Sequence, residues 1–301
     1  MQLSKKILVF GGALLSFGMG AAYAQNDTAP TGRGLGTILN RSASSGIPGP
    51  DTNAQVRGHG IQYHGGPIIT GTKNVYYIWY GNWTGNTALT ILPTLATGLS
   101  GSPYFNINTT YTDANAGIVS NSINLAGQMF DNYSHGTALS DSAIQQIVAA
   151  QNPTDTNGVY FVLTSADVNE TSGFCTIYCG WHTHATINGK DIKYAFVGNA
   201  DRCASACVTP EIRTLSPNNN VGADGMASVI SHELEEAATD PDLNAWYDRS
   251  GAENADKCAW TFGQEYTTGN GSKANMNLGG KDFLIQQNWV NSGRGYCALS
   301  F

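Results

Sequence analysis

Residues 224–241 read Asp-Gly-Met-Ala-Ser-Val-Ile-Ser-His-Glu-Leu-Glu-Glu-Ala-Ala-Thr-Asp-Pro. Met226, Val229, Ile230 and Leu234 recur at helical spacing, Asp224 suits an N-cap and Pro241 is a stop, so the stretch predicts a helix over 224–239. Upstream, Val75–Tyr80, Gly158–Leu163 and Tyr194–Gly198 are β-branched and aromatic runs that read as buried strands. Phe283–Val290 reads as a terminal strand. Leu89–Leu99 and Ser142–Ala150 have helical spacing, with Pro93 marking a helix start or a kink. Strands and helices in this order predict a single α/β (α+β) domain over about 58–301, with a mixed sheet against one long helix.

The 301 residues are 41% hydrophobic and 12% charged, enough apolar material for one good core. The net charge is 15 − 22 = −7. An acidic chain without clustered Lys or Arg argues against nucleic acid and anionic membrane surfaces as partners. Lys5-Lys6, the apolar run Ile7–Met19 and Ala22-Tyr23-Ala24 predict a signal peptide over 1–24, hence a secreted or periplasmic protein with no stable membrane insertion. Residues 25–57 are rich in Gly, Ser, Asn, Thr and Pro and read as a flexible leader or propeptide.

Six cysteines, at 175, 179, 203, 207, 258 and 297, favour disulfides in an exported chain. Cys175/Cys179 and Cys203/Cys207 are expected to bridge locally or to each other, and Cys258 to join Cys297. A four-thiolate zinc site is the less favoured alternative. The six tryptophans could line a sugar platform, but buried core is their commoner use.

The long helix also carries chemistry. His232 and Glu236 are four apart, so they lie about 40° apart around the axis and about 6 Å along it, on one face. Glu233 is turned by about 100° from His232 and would stand beside an ion held there. This is the arrangement of H-E-x-x-H zinc hydrolases with a glutamate in place of the second histidine. Zinc held by His232 and Glu236 would lower the pKa of a bound water while Glu233 takes its proton as general base. A carboxylate ligand loosens the preference for zinc over other divalent ions. Glu253 is the expected third ligand and Asp256 the acid that orients His232 through its other ring nitrogen; Asp240 and Asp248 are weaker candidates. The composition gives a chance H-E-x-x-E only about 0.003 times per chain. The competing reading is a solvated acidic helix face.

His182 and His184 alternate, so they share one face if that stretch is extended. Such histidines beside a disulfide are often structural, but His182 stands as a second catalytic candidate that could donate a ligand or stabilise an oxyanion. His64 reads as a backbone hydrogen-bonder in a turn.

Tyr63-His64-Gly65-Gly66-Pro67, Asn74-Val75 and Ile78-Trp79-Tyr80-Gly81 resemble the opening of the phosphate-induced protein 1 (EXORDIUM-like) family. Phe174-Cys175 to Cys179-Gly180, His182, Phe196–Asn199, Cys203–Cys207, Gly222–Met226 and Asn244–Tyr247 continue the likeness. It covers residue 60 to the C-terminus and is nearest the bacterial branch, in which the H-E…T-D-P helix is found. The resemblance implies a secreted protein, cell-wall and growth associations in plant members, and no established chemistry; plant members are expected to have aliphatic or amide residues where this chain has His232, Glu233 and Glu236, so their role does not carry over to it. Two functions are therefore expected. One is a secreted zinc-dependent hydrolase, metallopeptidase-like and zincin-like by analogy of element order, acting on an extracellular peptide or polysaccharide. The other is a non-catalytic extracellular cell-wall or carbohydrate-binding or signalling protein, in which a metal would at most be a structural clip.

Overall fold

The computed structural model describes Thr31 and residues 60–301. The expected signal peptide, and the expected leader apart from Thr31, lie outside them.

Five strands form the main sheet: β1 (Lys73–Tyr80), β2 (Ile123–Asp131), β3 (Gly158–Thr164), β4 (Gly180–Ile187) and β5 (Lys190–Val197). Their order is β2-β1-β3-β5-β4. β1 runs parallel to both β2 and β3, and β3 parallel to β5, while β4 is an antiparallel edge strand. Central β3 is buried at every residue, as its unbroken run Val-Tyr-Phe-Val-Leu requires of a strand covered on both faces. β4 and β5 are joined by Asn188-Gly189, both at positive φ (53° and 74°), the chemistry of a tight two-residue hairpin turn.

Three helices pack on this sheet: α1 (Ala88–Leu99), α2 (Asp141–Ala150) and α3 (Val221–Thr239). α1 runs through Pro93. α2 starts where Ser140 accepts a hydrogen bond from the Ala143 amide. α3 begins earlier than the sequence predicts, because Asn220 rather than Asp224 accepts from a helix amide, that of Ala223. Asp224 is used otherwise: Asn218 donates to it through both its backbone N and its Nδ2.

α3 packs against α1, β4 and β5, and every residue after Val221 is buried. The solvated acidic face is thereby excluded; the polar side of the helix is covered by the chain that follows it. The expected strand Phe283–Val290 is in fact two. Lys281–Phe283 pairs with Met276–Leu278, and Asn288–Val290 pairs with Tyr296–Ala298. Between them Gln286 turns away from strand pairing: its amide and Nε2 donate to Ser228 of α3, and its Oε1 accepts from the Trp260 amide.

The two close cysteine pairs are bridged to each other, Cys175–Cys203 and Cys179–Cys207, and Cys258 joins Cys297. A four-thiolate zinc site is thus excluded, since the sulfurs are consumed. Trp79, Trp83, Trp181 and Trp289 are buried, which is core use. Among the described residues no helix is long and apolar enough to cross a membrane.

Lys73 at the start of β1 is fully buried, with Nζ donating to the carbonyl and hydroxyl of Ser120. Burial lowers its pKa to about 7, against an opposing pull from Glu235. Between about pH 7 and its unfolded value near 10.4 the folded chain therefore binds fewer protons at this group than the unfolded chain, so its contribution to stability rises with pH across that window. Lys73→Met should flatten the rise of Tm between pH 7 and 10; an unchanged slope would show that the ammonium pays no burial penalty.

Candidate metal centre

Three segments deliver the site. α3 presents His232, Glu233 and Glu236 on one side. Strand β4 presents His182. The chain after α3 folds back and brings Glu253 and Asp256. None of these six side chains is more than 4% exposed.

The approach of β4 to α3 depends on Gly180. A Cβ there would fall 2.6 Å from Val229 Cγ1 and 3.2 Å from Glu233 Oε1, so only glycine lets the helix lie this near the strand. The returning segment is held by Asn254. Its Nδ2 donates to the Glu235 carbonyl and to Asn108 Oδ1, and its Oδ1 accepts from the Ala255 amide. The Trp289 amide donates to the Asn254 carbonyl, and Cys258–Cys297 ties the same loop to the C-terminal hairpin.

Within the site, His232 Nε2 lies 3.0 Å from Glu236 Oε1 and 3.5 Å from Asp256 Oδ1. His182 Nε2 lies 3.2 Å from Glu253 Oε1 and 3.7 Å from Glu236 Oε2. Glu233 offers an oxygen within 4.8 Å of ligand atoms of both His182 and Glu236. A tetrahedral ion with bonds of about 2.0–2.1 Å separates its ligand atoms by about 3.3 Å, and these distances bracket that value. Glu233 Oε2 and Glu236 Oε2 are buried and make no hydrogen bond, which buried carboxylate oxygens do not normally tolerate. The donor set, imidazole nitrogen and carboxylate oxygen, fits zinc and also manganese.

The electrostatics of the cluster follow from burial and from its own charges. Burial lowers the His182 pKa to about 3, so its ring is neutral, the form that binds metals. Burial first, then the charge of Glu236, raises Glu233 and Glu253 well above the usual carboxylate range. Burial and Asp256 bring Glu236 to about 7. For His232 burial opposes the charged ring, but Glu236, Asp256 and Glu233 outweigh it and lift its pKa well above the ordinary value. Four carboxylates share a buried space, and positive charge from protons or from metal is what makes them compatible.

The sequence placed His232, Glu233 and Glu236 on one helix, and the structure gathers Glu253 and Asp256 to them. Two details differ from expectation. Glu253 faces His182 rather than His232, and Asp256 faces the same nitrogen of His232 that faces Glu236. Asp256 thus stands among the potential ligands instead of behind the ring. His182 is the residue the sequence signalled least: only its alternation with His184 and its place among the resembling motifs pointed to it.

The other candidates have structural work. Asp240 accepts from the Asn244 and Ala245 amides, closing the turn after α3. Asp248 pairs with Lys257 at 2.8 Å. His184 lies 2.8 Å from Asp191 and 3.6 Å from Asp242, but Lys193 already reaches both acids at 2.6 and 3.5 Å, and the group is partly exposed. His64 contacts the Tyr247 carbonyl at 3.2 Å and stacks on the Tyr247 ring.

Asn254→Ala should remove two hydrogen bonds that seat the loop and cost about 1–3 kcal/mol in urea unfolding. A change below 0.5 kcal/mol would mean that the disulfide and the backbone bond from Trp289 position Glu253 and Asp256 without the Asn254 side chain.

Residues 61–283 match the model of the phosphate-induced protein 1 conserved region. Protein EXORDIUM-like 5 of Arabidopsis thaliana is 34% identical over 274 residues, covering 76% of this chain and 75% of that protein. Protein EXORDIUM-like 3 of the same plant is 32% identical over 271 residues, covering 76% and 80%. Protein PHOSPHATE-INDUCED 1 of Nicotiana tabacum is 31% identical over 212 residues, covering 62% and 67%. No solved structure matches the chain.

Proposed function

This chain belongs to the phosphate-induced protein 1 family, and from that premise we propose that it is an extracellular, non-catalytic binding or signalling protein clipped together by divalent metal at the cluster of His182, His232, Glu233, Glu236, Glu253 and Asp256. The observation that carries the proposal is that a histidine–carboxylate cluster is wholly enclosed, with unpaired carboxylate oxygens aimed into it. A closed shell is what a structural metal needs, whereas a catalytic one keeps an open position. The three disulfides support an oxidising, secreted or periplasmic location. Zinc is the first candidate ion.

The partner we favour is a cell-wall polysaccharide. A surface cavity of about 540 Å³, built from other residues, is lined by Asn169, Thr171, Phe174, Thr176 and Arg202. Amide, hydroxyl and guanidinium groups are suited to sugar hydroxyls, while the Phe174 ring itself is buried against Phe196.

A second reading, a zinc-dependent hydrolase with peptidase-like activity, draws on one specific feature. Glu233 stands beside the residues that would hold the ion, with Oε2 buried and unpaired, where a general base for a metal-activated water belongs. The five strands that precede the helix carry the zincin-like analogy. His182 would in this reading help bind the ion or the oxyanion.

Elemental analysis of the purified full chain should find at least one zinc, lost on His232→Ala and Glu236→Ala while far-UV circular dichroism is retained. Chelation of the wild type should lower Tm by several degrees. Absence of metal after refolding with zinc would overturn the metal clip. The zinc-loaded chain should not hydrolyse unfolded casein; hydrolysis that Glu233→Gln abolishes with its metal retained would replace the non-catalytic reading with the hydrolase.

A further inference from the structure

We propose that the cluster is a dinuclear centre, two divalent ions bridged by the Glu236 carboxylate; this rests on the metal reading above and deepens it. The two oxygens of Glu236 face different histidines. Oε1 lies 3.0 Å from His232 Nε2, and Oε2 lies 3.7 Å from His182 Nε2. Ligand atoms accordingly fall into two close groups, His232–Glu236–Asp256 and His182–Glu233–Glu236, with Glu236 common to both. Glu253 extends the second group, with its carboxylate oxygens 3.2 and 3.3 Å from His182 Nε2.

Each half has one imidazole nitrogen and its own terminal carboxylate, Asp256 in one and Glu233 with Glu253 in the other. A carboxylate that offers one oxygen to each half can hold two ions about 3.5–4 Å apart, the spacing of two-metal sites. The unpaired, buried Glu236 Oε2 is the oxygen that a single ion on the His232 side leaves without a partner. Oε1 is also anchored from the protein side, because the Asp256 amide donates to it at 3.1 Å. That bond fixes the rotation of the carboxylate so that its second oxygen points at His182.

Charge counting leads to the same number. Glu233, Glu236, Glu253 and Asp256 carry four negative charges when ionised, and the two imidazoles carry none as ligands. One divalent ion leaves a net charge of −2 in a space closed to water, and two bring it to zero. Uncompensated buried charge is the expensive outcome.

The test is metal stoichiometry and coupling in the full-length wild-type chain, stripped with chelator and reloaded with Zn²⁺ or Mn²⁺. Two Zn²⁺ per chain, and an exchange-coupled electron paramagnetic resonance signal from the Mn²⁺ form, are expected. Asp256→Asn, isosteric and confined to one half, should weaken one ion at least tenfold and leave the other bound, with the coupling lost. One ion per chain at saturation overturns the dinuclear centre and leaves the metal clip standing. Two magnetically isolated Mn²⁺ ions overturn the Glu236 bridge. No metal at all overturns both readings together.

Discussion

Helix α3 buries a histidine and three glutamates along its length, and the chain around it is arranged to make that burial tolerable. An ionised carboxylate taken from water costs several kcal/mol unless donors or cations replace the lost hydration. On one flank Glu235 is answered by protein groups: Asn288 Nδ2 donates to its carboxylate, and buried Lys73 pulls on it through space. On the other flank His232, Glu233 and Glu236 meet two more acids rather than two more bases. The first flank answers one oxygen of Glu235 with an amide donor and leaves Oε1 without a hydrogen bond, and the second has the composition of a cation site.

The same constraint explains the shape of the C-terminal third. The main sheet is complete at β5, yet about a hundred residues follow it. α3 takes nineteen of them, and most of the others form short hairpins and turns that cover its polar side. Asn254, Gln286 and Asn288 are buried there, each bonded to the helix or to the loop that returns along it. Buried amides serve here because they supply both donors and acceptors without adding charge. Cys258–Cys297 then closes the cover, and the paired bridges Cys175–Cys203 and Cys179–Cys207 tie the start of β4 to the segment before the helix.

The plant relatives align with three quarters of the chain or somewhat less, and their names carry no reaction. The cavity lined by Asn169 and Arg202 lies next to the Cys175–Cys203 bridge, on the segment that leads into β4. The strand that bears His182 therefore connects the enclosed cluster with the open surface.

Much of the architecture was legible because it rests on local pattern. The buried runs at Val75–Tyr80 and Gly158–Leu163 gave strands, and period-3.6 spacing gave α2 and α3. The H-E-x-x-E register put His232 and Glu236 on one face with Glu233 beside them, since helix geometry alone fixes that. β2 escaped: as an edge strand with one exposed face and with Asn, Gly and Gln inside it, Ile123–Asp131 lacks a continuous apolar run. The N-cap at Asn220 and the division of 283–290 were also hidden, because each depends on hydrogen bonds to distant residues. What the sequence determined by itself was the α/β class, the helix and the acid–histidine pattern upon it, all consequences of spacing within one element. What only the tertiary structure decided was the partner of each group. His182 crosses from β4 to meet Glu253, Asp256 comes to the same nitrogen as Glu236, and the acidic face is buried rather than wet. Those outcomes depend on how separate segments pack, and no local period in the chain encodes that.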